Sequence, residues 1–268
     1  MGAIPQDYHL HSEFSPDSRA PLEVMCLAAR ERGLSEIGFT EHFDLHPAEP
    51  MRDYFRPEPW WAELQRCRAA FAGDLVIRAG VEIGEPHLFA NEAQALLAAY
   101  PFDYAIGSLH HVNGATVFAP EYFNRPADEA YRNYFVELEQ MTRAGGFDIL
   151  AHFDVPVRLG ALLYGSYDPL RYEDVIRPVL RNCIERGIAL DVNTAALRSK
   201  ARVLTPSRPI LRWYAEMGGE RVTLGSDAHT PAHVGAHLDE ALAAIRDAGL
   251  RYLTFFEQRQ PRLVPLPA

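Results

Sequence analysis

Histidines and carboxylates in this chain fall in short clusters: HLH at 9–11, TEH at 40–42, GVE at 80–82, SLHH at 108–111, AHFD at 151–154 and GSDAH at 225–229. Each closes a short β-like run. A lone histidine at a strand end is ordinarily a structural hydrogen-bonding residue, but six strand ends carrying such groups in one chain are hard to produce by chance. Imidazole nitrogens and carboxylate oxygens without thiolates suit Zn, Mn or Fe in hydrolytic sites. A carboxylate can bridge two ions where one imidazole cannot, so a cluster of ions needs a central acid, and Glu82 is the natural candidate. Two ions about 3.5–4 Å apart can share a hydroxide nucleophile and neutralise phosphate oxygens. The expectation is a metal-dependent hydrolase with two or three divalent ions held by residues drawn from these six clusters.

Residues so far apart in sequence need a scaffold that gathers strand ends. Candidate strands are Asp7–His9, Glu36–Thr40, Leu75–Glu82, Tyr104–Leu109, Ile149–Ala151, Ile188–Asn193, Arg221–Gly225 and a weaker Tyr252–Phe256. Helical stretches run from Pro21 to Arg32, Pro59 to Phe71, Leu88 to Ala99, Ala127 to Ala144, Pro169 to Arg186, Pro206 to Met217 and Pro231 to Ala248. Proline near the first turn and glycine just past the end mark the first and last of these. Strands alternating with helices read as βα units around a parallel sheet. With no linker or composition break, residues 1–268 read as one α/β domain, a single closed barrel. Strand ends on one face of a barrel converge, and alternation along a strand lets His9 with His11, and Asp227 with His229, point inward together. The segments Phe43–Pro59, His111–Pro126 and Phe153–Asp168 read as long loops over that face. The tail RQPRLVPLPA reads as an extended surface strand or a frayed end.

With 48% hydrophobic residues the chain can build a sizeable core and is not a disordered protein. A net charge of -10 and a pI near 5.5 argue against a nucleic-acid partner, while bound metal ions would still make one cleft positive enough for a small anion. Cys26, Cys67 and Cys183 lie in apolar helical stretches with no CxxC, and read as buried free thiols in a reducing compartment. No basic run followed by an apolar segment opens the chain, and no stretch approaches the ~18 apolar residues of a membrane span. The expectation is a cytoplasmic protein without a membrane partner; oligomeric state is not legible.

Taken in order, HLHSEFSPDS, TEH, GVE, SLHH, AHFD and GSDAH resemble the polymerase and histidinol phosphatase (PHP) superfamily, from residue 8 to about 235. GFTEHFDL, DILAHFDVPVRLG, DVNTAALRS and VTLGSDAHTPAHVG resemble its bacterial histidinol-phosphate phosphatases. The resemblance implies a distorted (β/α)7 TIM-like barrel with a trinuclear centre at the C-terminal ends of its strands. It implies one ion on His9, His11, Glu82 and Asp227, a second on Glu82, His110 and His152, and a third on Asp17, His42 and His229. It also implies phosphate-binding arginines, at Arg158 and Arg198.

The implied reaction is hydrolysis of L-histidinol phosphate, with the phosphate gripped by Arg158 and Arg198 and a proton shuttled by Asp227 or His229. Other phosphomonoesters, or a non-catalytic module, are the alternatives. Ser226 and Asn193 are read as further substrate contacts, Glu13 as a partner for the cationic ammonium or imidazole, and His111 as substrate-facing or standing behind the ligands. His233 and His237, at i and i+4, have a spacing that can bind zinc but read as exposed helix residues. His46 and His87 carry no assignment, and Arg52 and Arg56 read as loop surface.

Overall fold

Parallel strands buried on both faces need near-continuous apolar runs, and the predicted runs have that character. The computed structural model, which describes residues 5–267, contains β1 (Gln6–Leu10), β2 (Glu36–Phe43), β3 (Val76–Gly84), β4 (Ile106–Ser108), β5 (His111–Val112), β6 (Ala115–Thr116), β7 (Ile149–Leu150), β8 (Ala189–Asn193), β9 (Val222–Gly225), β10 (Tyr252–Glu257) and β11 (Gln260–Pro265). Seven of them form one sheet in the order β1-β2-β3-β4-β7-β8-β9, with every neighbouring pair parallel. Between the strands run α1 (Leu22–Glu31), α2 (Pro57–Ala70), α3 (Ala90–Ala99), α4 (Ala127–Ala144), α5 (Val157–Tyr164), α6 (Glu173–Arg186), α7 (Arg208–Glu216) and α8 (Leu238–Asp247). The result is the expected (β/α)7 barrel.

The seam between β1 and β9 is closed mostly by side chains. Backbone pairing is limited to one bridge, Leu10 with Ala228, beside which His11 N–H donates to Ala228 O at 3.0 Å. Below it, Gln6 Oε1 accepts Leu224 N–H and Gln6 Nε2 donates to Thr254 O, each at 3.0 Å. Asp7 Oδ1 accepts Ser226 N–H and Oδ2 accepts Gly235 N–H, both at 2.8 Å, and Oδ2 also receives the Ser226 hydroxyl. Burial pushes the Asp7 carboxyl up to about 6, against the pull of these hydrogen bonds. A register shift between Asp7 and Leu10 marks a bulge on β1, which re-aims the residues around His9.

The weak eighth run does not enter the barrel. β10 pairs antiparallel with β11, so the tail is a strand, and the hairpin covers the N-terminal end of the barrel. Glu257 reaches Arg78, Gln258 N–H donates to Asp103, and Arg259 bonds Asp148. Phe255 packs edge-on against Tyr8, itself stacked on Tyr104 at 4.8 Å. Tyr104 needs Gly38 and Gly80 beside it, because a Cβ at Gly38 would fall 1.7 Å from its hydroxyl.

Two predicted loops carry structure. Phe153–Asp168 contains α5, and His111–Pro126 folds into the β5–β6 hairpin followed by a 3₁₀ turn at Pro120–Phe123. The single helix expected from Pro231 to Ala248 is broken: a 3₁₀ turn ends at His233, His237 adopts a left-handed φ of 59°, and α8 starts only at Leu238. His233 and His237 are therefore not a helical i, i+4 pair. Cys26, Cys67 and Cys183 are buried free thiols. Among the described residues no helix is long and apolar enough to cross a membrane.

Asp7→Ala would leave two backbone N–H groups and a hydroxyl unpaired inside the seam. A loss of about 2–4 kcal/mol is expected, read as a fall in denaturation midpoint with unchanged slope.

Candidate metal centre

The six clusters meet at the C-terminal end of the barrel. Several ligands lie just past their strands: β1 ends at Leu10, β4 at Ser108, β7 at Leu150 and β9 at Gly225, so His11, His110, His152, Asp227 and His229 project from the first residues of the connections. Alternation along β9 is thus not what turns Asp227 and His229 inward. Asp227 has a left-handed φ of 51°, a conformation that Asp tolerates better than most residues, and that turn redirects the chain.

Glu82, 1% exposed, is the hub. Its Oε2 lies 3.3 Å from His9 Nε2, 3.4 Å from His11 Nε2 and 3.1 Å from His42 Nδ1. Its Oε1 lies 3.4 Å from His110 Nε2 and 3.2 Å from His152 Nε2, and accepts the Ser108 hydroxyl. The β2–β3 register sets His42 directly beside Glu82. Asp227 Oδ1 stands 3.9 Å from His9 Nε2, and 3.5 Å from both His11 Nε2 and His229 Nδ1. Asp17 comes in from the loop after β1, 2.9 Å from His229 Nε2 and 3.5 Å from His42 Nε2. All nine predicted residues are brought together.

This arrangement fits divalent cations. His9 Nε2, His11 Nε2, His42 Nδ1 and Glu82 Oε2 are buried, face one another and have no hydrogen-bond partner. Such convergence is costly in a protein interior unless a cation takes the lone pairs. Ligand atoms within 4.8 Å of one another occur in overlapping triads: His9–His11–Glu82, Glu82–His110–His152, His9–His152–Asp227, His11–His42–His229 and His42–Asp44–His110. Burial disfavours the charged form of His42, but Glu82, Asp44 and Asp17 outweigh it and raise its pKa to about 10. His9 and His110 are likewise raised well above the ordinary value by their carboxylates despite burial. His11 goes the other way, lowered by burial and by the neighbouring His229 and His42.

Four supporting groups went unread in the sequence. Asp191 Oδ2 lies 2.9 Å from His9 Nδ1, held by Asn193 Nδ2, also at 2.9 Å. Gly225 makes room for that contact, since a Cβ there would fall 2.2 Å from Asp191 Oδ1. Ser15 Oγ stands 3.0 Å from His11 Nδ1 and donates to the buried Glu41 at 2.6 Å. Asp44 lies 3.5 Å from His110 Nδ1 and 3.6 Å from His42 Nδ1. Fixing the far nitrogen of a ligating imidazole orients the ring and selects its tautomer. The spacing that singled out HLH also held for Asp44 and Asp191, two residues from His42 and Asn193; Glu41 stood inside TEH without a role of its own, and nothing marked Ser15.

A cleft of about 360 Å³ opens over the hub, lined by Asp17, His42, Asp44, Glu82, His110, His152, Arg158, Asp227 and His229 among others. Arg158 on α5 and Arg198, from the turn after β8, share a contiguous cleft with Asp17, Asp227 and His229. Arg198 Nη2 donates to Ser226 O at 2.7 Å and Asp227 O at 3.1 Å, while its Nη1 is buried without a partner.

Four expected substrate contacts lie elsewhere. Ser226 is fully buried and spends its hydroxyl on Asp7. Asn193 is buried and committed to Asp191, with its Oδ1 accepting Ala195 N–H at 2.9 Å. Glu13 is exposed and does not line the cleft. His111 is buried between Glu49 and Glu85, outside the lining, and stacks on His46. His87 pairs with Glu137 and His237 with Glu240, whereas His233 lines the arginine cleft. Arg56 bonds its own loop's carbonyls.

The PHP domain family matches residues 7–195. The chain is 31% identical over 255 residues to a probable histidinol-phosphatase of Clostridium acetobutylicum, covering 94% of this chain and 97% of that one. It is 32% identical over 256 residues to a probable histidinol-phosphatase of Deinococcus radiodurans, covering 93% and 95%. The histidinol phosphate phosphatase of Lactococcus lactis, solved with zinc, L-histidinol and phosphate, has the same fold: TM-score 0.87 at 24% identity, over 96% of this chain and 98% of that one.

Because the surrounding carboxylates favour the protonated forms of His9, His42 and His110, divalent ions compete with protons for these nitrogens. Apparent metal affinity is expected to rise with pH from 6 to 9. Zinc titration calorimetry in buffers of different ionisation enthalpy should show net proton release at pH 7.

Proposed function

The chain belongs to the PHP domain family, and on that premise we propose that residues 1–268 form one metal-dependent phosphomonoesterase domain that hydrolyses L-histidinol phosphate to L-histidinol and phosphate, in the cytoplasm, as a step of histidine biosynthesis. The observation that carries this reading is the convergence of five imidazoles on the buried Glu82, beside a cleft that holds two arginines.

His9, His11, Glu82 and Asp227 would hold one ion, Glu82, His110 and His152 a second, and Asp17, His42 and His229 a third, with Zn, Mn or Fe suited to this donor set. When bound, such ions supply Lewis acidity, making water nucleophilic near neutral pH and offsetting charge on phosphate oxygens. The chain's own residues do the rest. Arg158, exposed at the start of α5, and Arg198, with Nη1 unpartnered, bind the phosphate; planar guanidinium groups match its oxygens through paired hydrogen bonds. Arg198 is itself fixed by the carbonyls of Ser226 and Asp227, so it arrives oriented. Asp227 and His229 stand side by side in the cleft and serve as the pair that takes a proton from the attacking water and returns one to the leaving alkoxide. Asp191, Glu41 and Asp44 hold the imidazoles in register throughout.

Metal-loaded protein is expected to release phosphate from L-histidinol phosphate with a kcat/KM well above its value for generic phosphomonoesters; a rate no better than for those would remove the specific substrate. Arg198→Ala and Arg158→Ala should each lower kcat/KM roughly 10- to 100-fold, mainly through KM, with metal content intact. Glu82→Gln should lower occupancy of two sites together by elemental analysis, and full metal content with full activity would refute the bridging role.

A further inference from the structure

The lining of the cleft is chemically mixed. Arg158 lines it, and Arg198 stands in the adjoining cleft that shares Arg158, Asp17, Asp227 and His229. Around His110, Asp44 lies 3.5 Å from Nδ1 and Phe118 packs 5.4 Å from the ring, and Glu49 and Met51 belong to the same lining. We propose that Glu49 is the specificity residue of this enzyme, pairing with the ammonium group of the substrate while Met51 and Phe118 flank its organic body; this rests on the phosphomonoesterase reading above.

Glu49 lies in the loop after β2. Its Oε1 accepts Met51 N–H at 3.1 Å, and among the described residues its carboxylate has no arginine or lysine partner. Met51 and Phe118 are 45% and 42% exposed, and both line the same cleft as this carboxylate. Asp44, whose Oδ1 is buried and without a hydrogen-bond partner, lines the same cleft. A carboxylate without an arginine or lysine partner, lining the same cleft as two exposed apolar side chains, complements a cation carried on an organic body. The same carboxylates disfavour any ester with a second anionic group, which adds rejection to attraction.

An imidazole stands behind this carboxylate. His111 Nε2 lies 3.9 Å from Glu49 Oε2 and its Nδ1 lies 3.5 Å from Glu85 Oε2, and neither nitrogen has a hydrogen-bond partner. Its ring stacks on His46 at 4.3 Å. Glu85 in turn accepts the amides of His110 and His111 at 2.6 and 2.8 Å. A row of carboxylate, imidazole and carboxylate therefore runs from just past the end of β3 to the cleft wall.

The test compares metal-loaded wild type with Glu49→Gln on L-histidinol phosphate and on p-nitrophenyl phosphate, which keeps the phosphate and lacks the amine. Glu49→Gln is expected to raise KM for histidinol phosphate about tenfold or more and the inhibition constant of L-histidinol by a similar factor. Its KM for p-nitrophenyl phosphate and its metal content should stay near wild type, and Glu49→Asp should recover part of the loss. An unchanged KM for histidinol phosphate, an equal rise for both substrates, or loss of metal would each overturn the assignment. A wild-type enzyme that does not favour histidinol phosphate over p-nitrophenyl phosphate would instead overturn the substrate reading from which it starts.

Discussion

Everything at the top of this barrel depends on one buried carboxylate. Glu82 has almost no access to water, and an isolated ionised acid in that position would be prohibitively costly. It stays ionised, its pKa held well below the ordinary value, because His9, His42, His110 and His152 outweigh the cost of burial. Four strands or their first following residues supply the imidazoles, so the hub ties together elements that are remote in sequence. Its two oxygens divide the imidazoles, with His9, His11 and His42 on one and His110 and His152 on the other. That division is the geometric basis for reading Glu82 as a bridge.

A hub of this kind needs a rigid frame, and the frame has a weak point where β1 meets β9. Ladder hydrogen bonds there give way to the side chains of Gln6 and Asp7. The same seam positions His9 and His11 against Asp227, so closure of the barrel and assembly of the site are one event. The opposite end is sealed by the β10–β11 hairpin, whose Glu257, Gln258 and Arg259 engage the starts of three strands. Stability is concentrated below, and the connections above are left free to shape a cleft.

The legible part of the site was the clustering of donors at or just past the ends of parallel strands. HLH, TEH, GVE, SLHH, AHFD and GSDAH each lie at or near the C-terminal end of a parallel strand, and parallel strand ends must converge. Residues whose direction depends on a turn were harder to read. Ser226 precedes Asp227 and looked like a neighbour of the phosphate, but the bend at Asp227 leaves its hydroxyl on the seam with Asp7. Glu13 looked close to HLH, yet Glu49, far along the chain, is the acid that the loop after β2 carries into the cleft wall. The break in the last helical stretch had one local signal, Gly235, which takes a left-handed φ of 65° just before His237 does the same.

The amino-acid sequence by itself determined the alternation of strands and helices, the residue types at the strand ends and hence the donor chemistry, because each follows from local pattern; that the eighth run, Tyr252–Phe256, stays outside the barrel was decided by the structure. The sequence also carried the family resemblance, which divided nine ligands among three ions. Only the tertiary structure decided which atom faces which. Asp191 meets His9, Asp17 meets His229, and His111 stands behind Glu49 through contacts between segments tens to hundreds of residues apart. Such contacts are set by barrel closure, register and loop direction, none of which leaves a local trace in the chain.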